Sequence, residues 1–160
     1  MRNQYNEQLK ELHEQMIHMG NLCEEVISAA AVSIMGRTPG SREKAYHADE
    51  QIDKMERQIE DLCLRLLLQQ QPVAGDLRRI SAALKMISDM ERIGDQAADI
   101  AELSAYLANS GLAEKSVLND MAKAAVQMVN ESIAAFVNAD LELAHKVIAD
   151  DDTVGTLFEQ

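Results

Sequence analysis

Two sets of acidic side chains are the part of this 160-residue sequence with the clearest capacity for chemistry. The first set consists of Glu91, Asp95, Asp99 and Glu102. The second set consists of Asp49, Asp53, Glu56 and Glu60. Steps of four and three residues place the carboxylates of each set within an arc of about 60° to 80° on a helix. Oxygen-only ligand sets suit hard or borderline cations such as Mg²⁺, Mn²⁺, Ca²⁺ or iron.

The first set lies beside an apolar stripe. This stripe consists of Leu77, Ile80, Leu84, Ile87, Gly94, Ala98, Ala101 and Ala105. Glu91 falls in register with it, and a carboxylate held against a buried seam needs a proton, a base or a cation. Arg92 is the close base in the local sequence and is predicted to support the site. Because a glycine in mid-helix costs up to about 1 kcal/mol relative to alanine, Gly94 predicts the close approach of a neighbouring helix.

Acidic stripes on helices also occur simply because they face solvent. Glu56 and Glu60 fit that interpretation, since Lys54 and Arg57 lie nearby for local pairing. If the second set instead shares a groove with the first, two antiparallel helices present facing rows of carboxylates. We predict one or more metal cations there, with iron, Mn, Mg or Zn as candidates and the identity open. The absence of His and Cys from the two sets argues against a structural zinc site.

Five helices must position these acids, and the fold class is all-α. Apolar periodicity predicts helices over 3–35, 41–71, from just after Pro72 to 109, 114–138 and from about 141 to the last residue. Short connections between the first three long helices predict a three-helix bundle over 1–110. The fourth helix is predicted to bury Met121, Ala125, Met128, Ser132 and Ala135.

An internal repeat accounts for the remaining helices. Residues 45–52 align with 147–154, so 111–160 is predicted to be an incomplete second repeat with two of its three helices. Such a unit exposes an apolar face, which a domain swap or dimerisation would cover. We therefore expect a chain that is truncated in its second repeat and forms a homodimer.

Composition limits the classes of function. A net charge of −12 disfavours nucleic acid as a partner and favours cations or a basic protein surface. The apolar runs are too short to span a membrane, and no secretory signal opens the chain. The two cysteines, Cys23 and Cys63, sit on predicted apolar faces as small buried hydrophobic residues. We expect a soluble protein of a reducing compartment.

Three segments resemble the PhoU family, the accessory regulators of bacterial phosphate-specific transport. They are Gln71-Pro72 followed by Asp76-Leu77-Arg78, the segment Glu91-Arg92-Ile93-Gly94-Asp95, and Asp49-x-x-Ile52-Asp53. The resemblance covers nearly the whole chain. It implies two three-helix bundles related by pseudo-symmetry, with clusters of iron or other cations held by E/D-x-x-x-D motifs on the bundle surface.

Carried over to this sequence, the resemblance implies a metal site at Asp49, Asp53, Glu91, Asp95 and Asp99, with Arg92 and Gly94 in support. Asp99 occupies a place where members of the family often have Asn. In the second repeat Asp151 corresponds to Asp49, but Gly155 stands where Asp53 would be expected. A complete second cluster is therefore not expected.

The resemblance implies a non-catalytic regulator of phosphate uptake and phosphate-starvation signalling. Its expected partners are the ATPase subunit of a phosphate ABC transporter and a sensor histidine kinase. Through these partners the resemblance implies a cytoplasmic protein that is peripheral to the inner membrane. The sequence offers no Gly-rich phosphate loop. The enzymatic alternative is a carboxylate-bridged di-iron or ferritin-like oxidase, which needs two Glu-x-x-His motifs, and only Glu142-x-x-His145 matches. A structural helical module whose acids only solubilise it is the third alternative.

Overall fold

The computed structural model describes residues 2–36, 39–69, 73–107 and 115–159. Within these ranges the helices are α1 (Arg2–Met35), α2 (Ser41–Gln69), α3 (Ala74–Leu107), α4 (Lys115–Asn138) and α5 (Leu141–Glu159). The all-α class is confirmed, and the predicted ends are within a few residues of the observed ones. The predicted breaks at Pro72 and at 110–111 lie outside the described residues.

The first three helices pack against one another pairwise and form a three-helix bundle. Their apolar positions recur at the helical period, so each helix turns one continuous stripe towards the common axis. The side chains with no solvent exposure include Leu12, Met16, Met19, Val26, Ile52, Ile59, Leu62, Leu66 and Ile80. Cys23 and Cys63 belong to the same core and are free thiols, as predicted. Burial raises their pKa values to about 12 and about 11, so both remain protonated.

The predicted apolar stripe on α3 is only partly correct. Ile80, Ile87 and Ala101 are buried, whereas Leu77 is 46% exposed and Ala105 is also exposed. A stripe with a strict seven-residue period drifts by about 20° per heptad around a straight helix. The two ends of a stripe this long therefore turn away from the bundle axis.

The fourth helix packs on α1 and on α5. It contacts α1 at Gly20, where an added Cβ atom would collide with Cδ1 of Ile133. Nearby, the rings of His13 and Phe136 meet edge to face with their centroids 5.7 Å apart. Ile133 is buried, but of the predicted apolar face of α4 only Ala135 is buried and the other members are half-buried. The face that meets α1 is therefore rotated from the predicted one.

The turn between α4 and α5 is defined by backbone geometry and a cap. Ala139 has a φ of 51°, in the left-handed region, and the N–H of Asp140 donates to the carbonyl oxygen of Ala135 at 2.9 Å. The N–H of Leu143 donates to Oδ1 of Asp140 at 3.0 Å, which caps the start of α5. These bonds fix α5 as the antiparallel neighbour of α4. None of the described helices combines the length and apolarity needed to cross a membrane.

Candidate metal centre

Three carboxylates converge where α2 and α3 pack together. Asp49 and Asp53 are one turn apart on α2 and Asp95 comes from α3, and one oxygen atom from each lies within 4.8 Å of the others. We call these three residues the acidic cluster. The spacing of four residues on α2 places both of its carboxylates on one face, opposite the carboxylate of the antiparallel neighbour. The shared groove expected from the sequence is therefore present.

The glycine in mid-helix allows this close approach. A Cβ atom at Gly94 would lie 2.9 Å from Oδ1 of Asp49 and 2.9 Å from Cδ1 of Ile52. Since real Cβ atoms rarely come so near a neighbour, only glycine allows the two helix surfaces to meet here without displacement. The close approach predicted at Gly94 is present, and Asp49 is one of the residues that it contacts.

The electrostatics of the acidic cluster are unfavourable as it stands. Burial raises the pKa of Asp49 to about 7, and Asp95, Asp53 and Asp99 add to the shift. Oδ1 of Asp49 is buried and has no hydrogen-bond partner. A buried acceptor without a partner has lost its hydrogen bonds to water and gains no hydrogen bond within the protein, which costs free energy. The cluster thus favours any species that supplies positive charge or a proton to that oxygen.

Glu91 lies next to the cluster and interacts with it through Asp95. A side-chain hydrogen bond with Asp95, followed by burial, raises the pKa of Glu91 to about 7. Glu56 is half-buried, and burial together with Asp53 raises its pKa as well. Sequence reasoning assigned Glu56 to the surface. Its step of three residues from Asp53 was the signal that it shares the same face.

The local bases do not neutralise these acids. Arg92 lies 3.8 Å from Asp89, with its side chain 69% exposed, and Lys85 pairs with Asp89 at 2.8 Å. Within the described parts of the chain, no lysine or arginine forms an ion pair with the acidic cluster. Arg92 therefore reaches a carboxylate outside the predicted site.

Asp99 faces a separate space beside the cluster. A cavity of about 400 Å³ adjoins Asp49, and its walls include Arg42, Tyr46, Asp99 and Glu102. Asp99 is exposed and contributes no atom to the close group of three. Of the five predicted ligands, Asp49, Asp53 and Asp95 meet. Glu91 is hydrogen-bonded to Asp95, and Asp99 lines the adjoining cavity.

The residues of the cluster fit a hard cation. Carboxylate oxygens are the ligands that Mg²⁺, Mn²⁺ and Ca²⁺ prefer, and these ions take six or more ligands. Three converging carboxylates would leave further coordination positions for water. The alternative di-iron pattern is not assembled, because Glu142 and His145 are both exposed on α5 instead of pointing into a core.

These features define the class as an all-helical bundle with a carboxylate cluster shared by two adjacent helices. The model of the PhoU domain matches residues 16–104 and again 118–160. The chain therefore belongs to the PhoU family. The first match contains the whole acidic cluster, and the double match agrees with the internal repeat.

Two relatives show how far the likeness extends. The chain is 39% identical over 154 residues to the phosphate-specific transport system accessory protein PhoU homolog of Aquifex aeolicus, covering 96% of this chain and 70% of that protein. It is 33% identical to the homolog of the same name from Pseudomonas putida, covering 94% of this chain and 60% of that protein. The chain thus spans about two thirds of the length of these curated relatives.

Solved structures agree with the fold. The crystal structure of PhoU from Pseudomonas aeruginosa matches with a TM-score of 0.88 at 30% identity, over 97% of this chain and 75% of that chain. The phosphate transport system regulatory protein PhoU from Streptococcus pneumoniae matches with a TM-score of 0.85 at 26% identity, over 97% and 73% respectively. The arrangement of helices described above is therefore that of the PhoU fold.

Proposed function

We propose that this chain is a non-catalytic accessory regulator of phosphate uptake and phosphate-starvation signalling. In this proposal it binds a metal cation at the acidic cluster of Asp49, Asp53 and Asp95. The observation that carries the proposal is the convergence of these carboxylates, together with the buried Oδ1 of Asp49 that has no hydrogen-bond partner. Its context is a family whose relatives are named accessory proteins of phosphate-specific transport.

The role of the cation is to join α2 to α3. Three carboxylates within 4.8 Å of one another repel when all are ionised, and no base of the described chain compensates them. A divalent cation would reverse the sign of that interaction and supply a partner for the buried oxygen of Asp49. Glu91 would hold Asp95 in place through their hydrogen bond, and Asp99 would face the adjoining cavity. Iron, Mn, Mg and Zn are the candidates to be tested.

The partners we propose are the ATPase subunit of a phosphate ABC transporter and a sensor histidine kinase. Two observations support protein partners: the naming of the relatives as accessory proteins, and a net charge of −12 that would attract a basic protein surface. The chain would act at the cytoplasmic side of the membrane through these partners. It would hold starvation signalling off while phosphate is plentiful.

The experiment combines metal analysis with a pull-down. The purified chain is analysed for bound metal and then tested for capture of the transporter ATPase and of the histidine kinase. We expect bound cation in the wild type, loss of it in the Asp49→Asn, Asp95→Asn double variant, and retention of helicity in both. The matched control removes the same charge at two exposed positions away from the cluster, Asp61→Asn with Asp120→Asn.

The two halves of the proposal fail separately. Equal metal content in the cluster variant, the control and the wild type would contradict the metal site. Absence of both partners from the pull-down, with metal bound, would contradict the regulatory role. Loss of capture in the cluster variant alone would show that the cation organises the surface that the partners bind.

A further inference from the structure

The α4–α5 hairpin is attached to the first bundle mainly through α1. Among the described helices, α4 packs on α1, and α5 packs on α4. The residues that meet between α1 and α4 form what we call the α1–α4 seam. They are Gly20 with Ile133, Glu24 with Asn130, and His13 with Phe136. The position of the whole hairpin therefore depends on a narrow set of contacts.

His13 is the histidine of this seam. Its ring meets the ring of Phe136 edge to face, with the centroids 5.7 Å apart and an angle of 83° between the planes. The Nε2 atom of His13 is buried and has no hydrogen-bond partner. A neutral imidazole can pack here much as a hydrocarbon ring does. A protonated imidazole carries a second N–H group that needs an acceptor, and the ring of Phe136 has no conventional acceptor to offer.

The charge that acts on His13 is positive. Burial, followed by the guanidinium of Arg79 on α3, lowers the pKa of His13. In the described ranges of the chain Arg79 forms no ion pair that would neutralise it. From α4 the ring is faced by Phe136, which has no charge. A proton on His13 would thus be buried beside a second positive charge.

The carboxylates at this level of the bundle act on other groups. His13 lies 22 residues before the end of α1 and Cys63 lies 22 residues after the start of α2, so the antiparallel course brings both to the same level. Cys63 is a thiol that burial and the exposed Glu60 keep protonated. Asp76 of α3 acts on Tyr5, two turns before His13 on α1. Neither carboxylate is among the charges that act on His13.

We propose that protonation of His13 is a switch that releases the α4–α5 hairpin from α1. With a neutral ring, the contact between His13 and Phe136 holds the hairpin in place. With a protonated ring, Nε2–H reaches an acceptor only when α4 moves away and water enters the α1–α4 seam. The first bundle keeps its own core during this step, because its three helices pack on one another.

The direction of the pH dependence follows from proton binding. A solvated His13 titrates near its ordinary value of 6.5, and the buried His13 titrates at a lower pH. The released state therefore binds more protons than the packed state below about pH 6.5, so lowering the pH favours release. Above that pH both states are neutral at His13 and the hairpin stays packed.

The switch is separate from the proposed cation site. Cys23, which interacts with Asp49 of the acidic cluster, lies ten residues beyond His13 on α1. Ten residues of helix span about 15 Å. Failure of the metal site would thus leave this proposal standing, and failure of the switch would leave the metal site standing.

The test is hydrogen exchange of the whole chain, read by mass spectrometry in wild type and in His13→Phe at the same pH. Phenylalanine keeps an aromatic ring against Phe136 but cannot be protonated. We expect the ratio of wild-type to variant exchange in α4 and α5 to rise about threefold or more between about pH 7.5 and 5.5. The amides of α2 serve as the internal reference, and their ratio should stay constant.

Three further variants test the role of the ring and its neighbours. His18→Phe makes the same change at an exposed histidine of α1, and it should keep the wild-type pH dependence. Glu24→Gln removes the other titratable group of the α1–α4 seam and should keep it as well. Arg79→Gln removes the charge that opposes protonation, so release should occur at a higher pH. A purely structural arginine would not produce that shift.

The outcomes decide the proposal. A rise confined to α4 and α5 and absent in His13→Phe supports the switch, as does the shift in Arg79→Gln. A constant ratio down to about pH 5.5, or a rise that includes α2 equally, would overturn it. Far-ultraviolet circular dichroism checks that the variants keep their helicity. If His13→Phe does not fold, the pH of release in Arg79→Gln decides alone, and an unshifted value would overturn the proposal.

Discussion

Gly94 of α3 lies directly against Asp49 of α2, so close that a Cβ atom at Gly94 would stand 2.9 Å from Oδ1 of Asp49. The same missing side chain lets the helices approach and lets the carboxylates of the acidic cluster meet. Packing and site geometry are therefore set at one point. A change at Gly94 tests both together.

Gly94→Ala should destabilise the chain although alanine is the better helix former. The substitution gains up to about 1 kcal/mol in helix propensity. Against this, the new Cβ atom requires Ile52, which has no solvent exposure, to shift within a packed core, and overpacking of this kind costs about 1–3 kcal/mol. We expect a net loss of about 1 kcal/mol in the free energy of unfolding, measured in urea, and weaker cation binding as Asp49 moves.

The control for Gly94→Ala is Gly75→Ala. A Cβ atom at Gly75 meets nothing within 4 Å, so this variant should be unchanged or more stable by about 0.5 kcal/mol. A gain in stability for Gly94→Ala equal to that of the control would show that α2 and α3 accommodate a Cβ atom at the cluster without a steric clash.

The metal-free chain should lose stability as the pH rises from about 4 to about 7. In the unfolded chain Asp49 releases its proton near pH 4, whereas in the folded chain its pKa is about 7. Between these values the folded state binds more protons than the unfolded state, so stability falls with rising pH and levels off above about 7. Because Asp49 is partly solvated, we expect about 1 kcal/mol or less, read as a few degrees in Tm.

The comparison that isolates this effect is wild type against Asp49→Asn in the presence of a chelator. His13 titrates with the opposite sign, since burial lowers its pKa and its protonation destabilises the folded chain below about pH 6.5. That contribution is common to both proteins and cancels in the difference. A difference in Tm that does not change between pH 4 and 7 would show that Asp49 ionises normally.

Addition of a divalent cation should raise Tm and change its pH dependence. A ligand at a hundred times its Kd stabilises the folded state by about 2.7 kcal/mol. Since binding requires ionised carboxylates, the gain should grow as the pH rises towards 7 and should disappear with chelator. The Asp49→Asn, Asp95→Asn variant should show no gain. A Tm that the cation and the chelator both leave unchanged would contradict a site at the cluster.

Helical periodicity was sufficient to predict the five helices and a groove shared by the two acidic rows, and the family resemblance selected Asp49, Asp53 and Asp95 from those rows. Each of these depends on which face of one helix is apolar and on the antiparallel course of its neighbour. The glycine in mid-helix was a second signal, because its cost in propensity implied a close contact. Glu91 was predicted as a fourth ligand, and in the structure it interacts with Asp95 but contributes no atom to the close group of three.

Periodicity could not predict contacts that depend on rotation between helices. The face of α4 that meets α1 is centred on Ile133, whereas the sequence favoured the row that includes Met128. Arg92 was expected near the cluster, but its long side chain reaches Asp89 one turn away. Asp99 belongs to the same acidic row in the sequence, but in the structure it lies in the wall of the adjoining cavity and outside the cluster.

The contact between Gly20 and Ile133 should control how α4 docks on α1. Gly20→Ala would place a Cβ atom in collision with Cδ1 of Ile133, and we expect a loss of about 1–3 kcal/mol in the free energy of unfolding. Ile133→Val removes that methyl group and alone should cost about 0.5–1.5 kcal/mol. Combined, the two changes should be less harmful than their sum by about 1 kcal/mol, because the smaller side chain leaves room for the new Cβ atom. If the losses in the free energy of unfolding, measured in urea, are strictly additive, then the contact between Gly20 and Ile133 does not determine how α4 packs on α1.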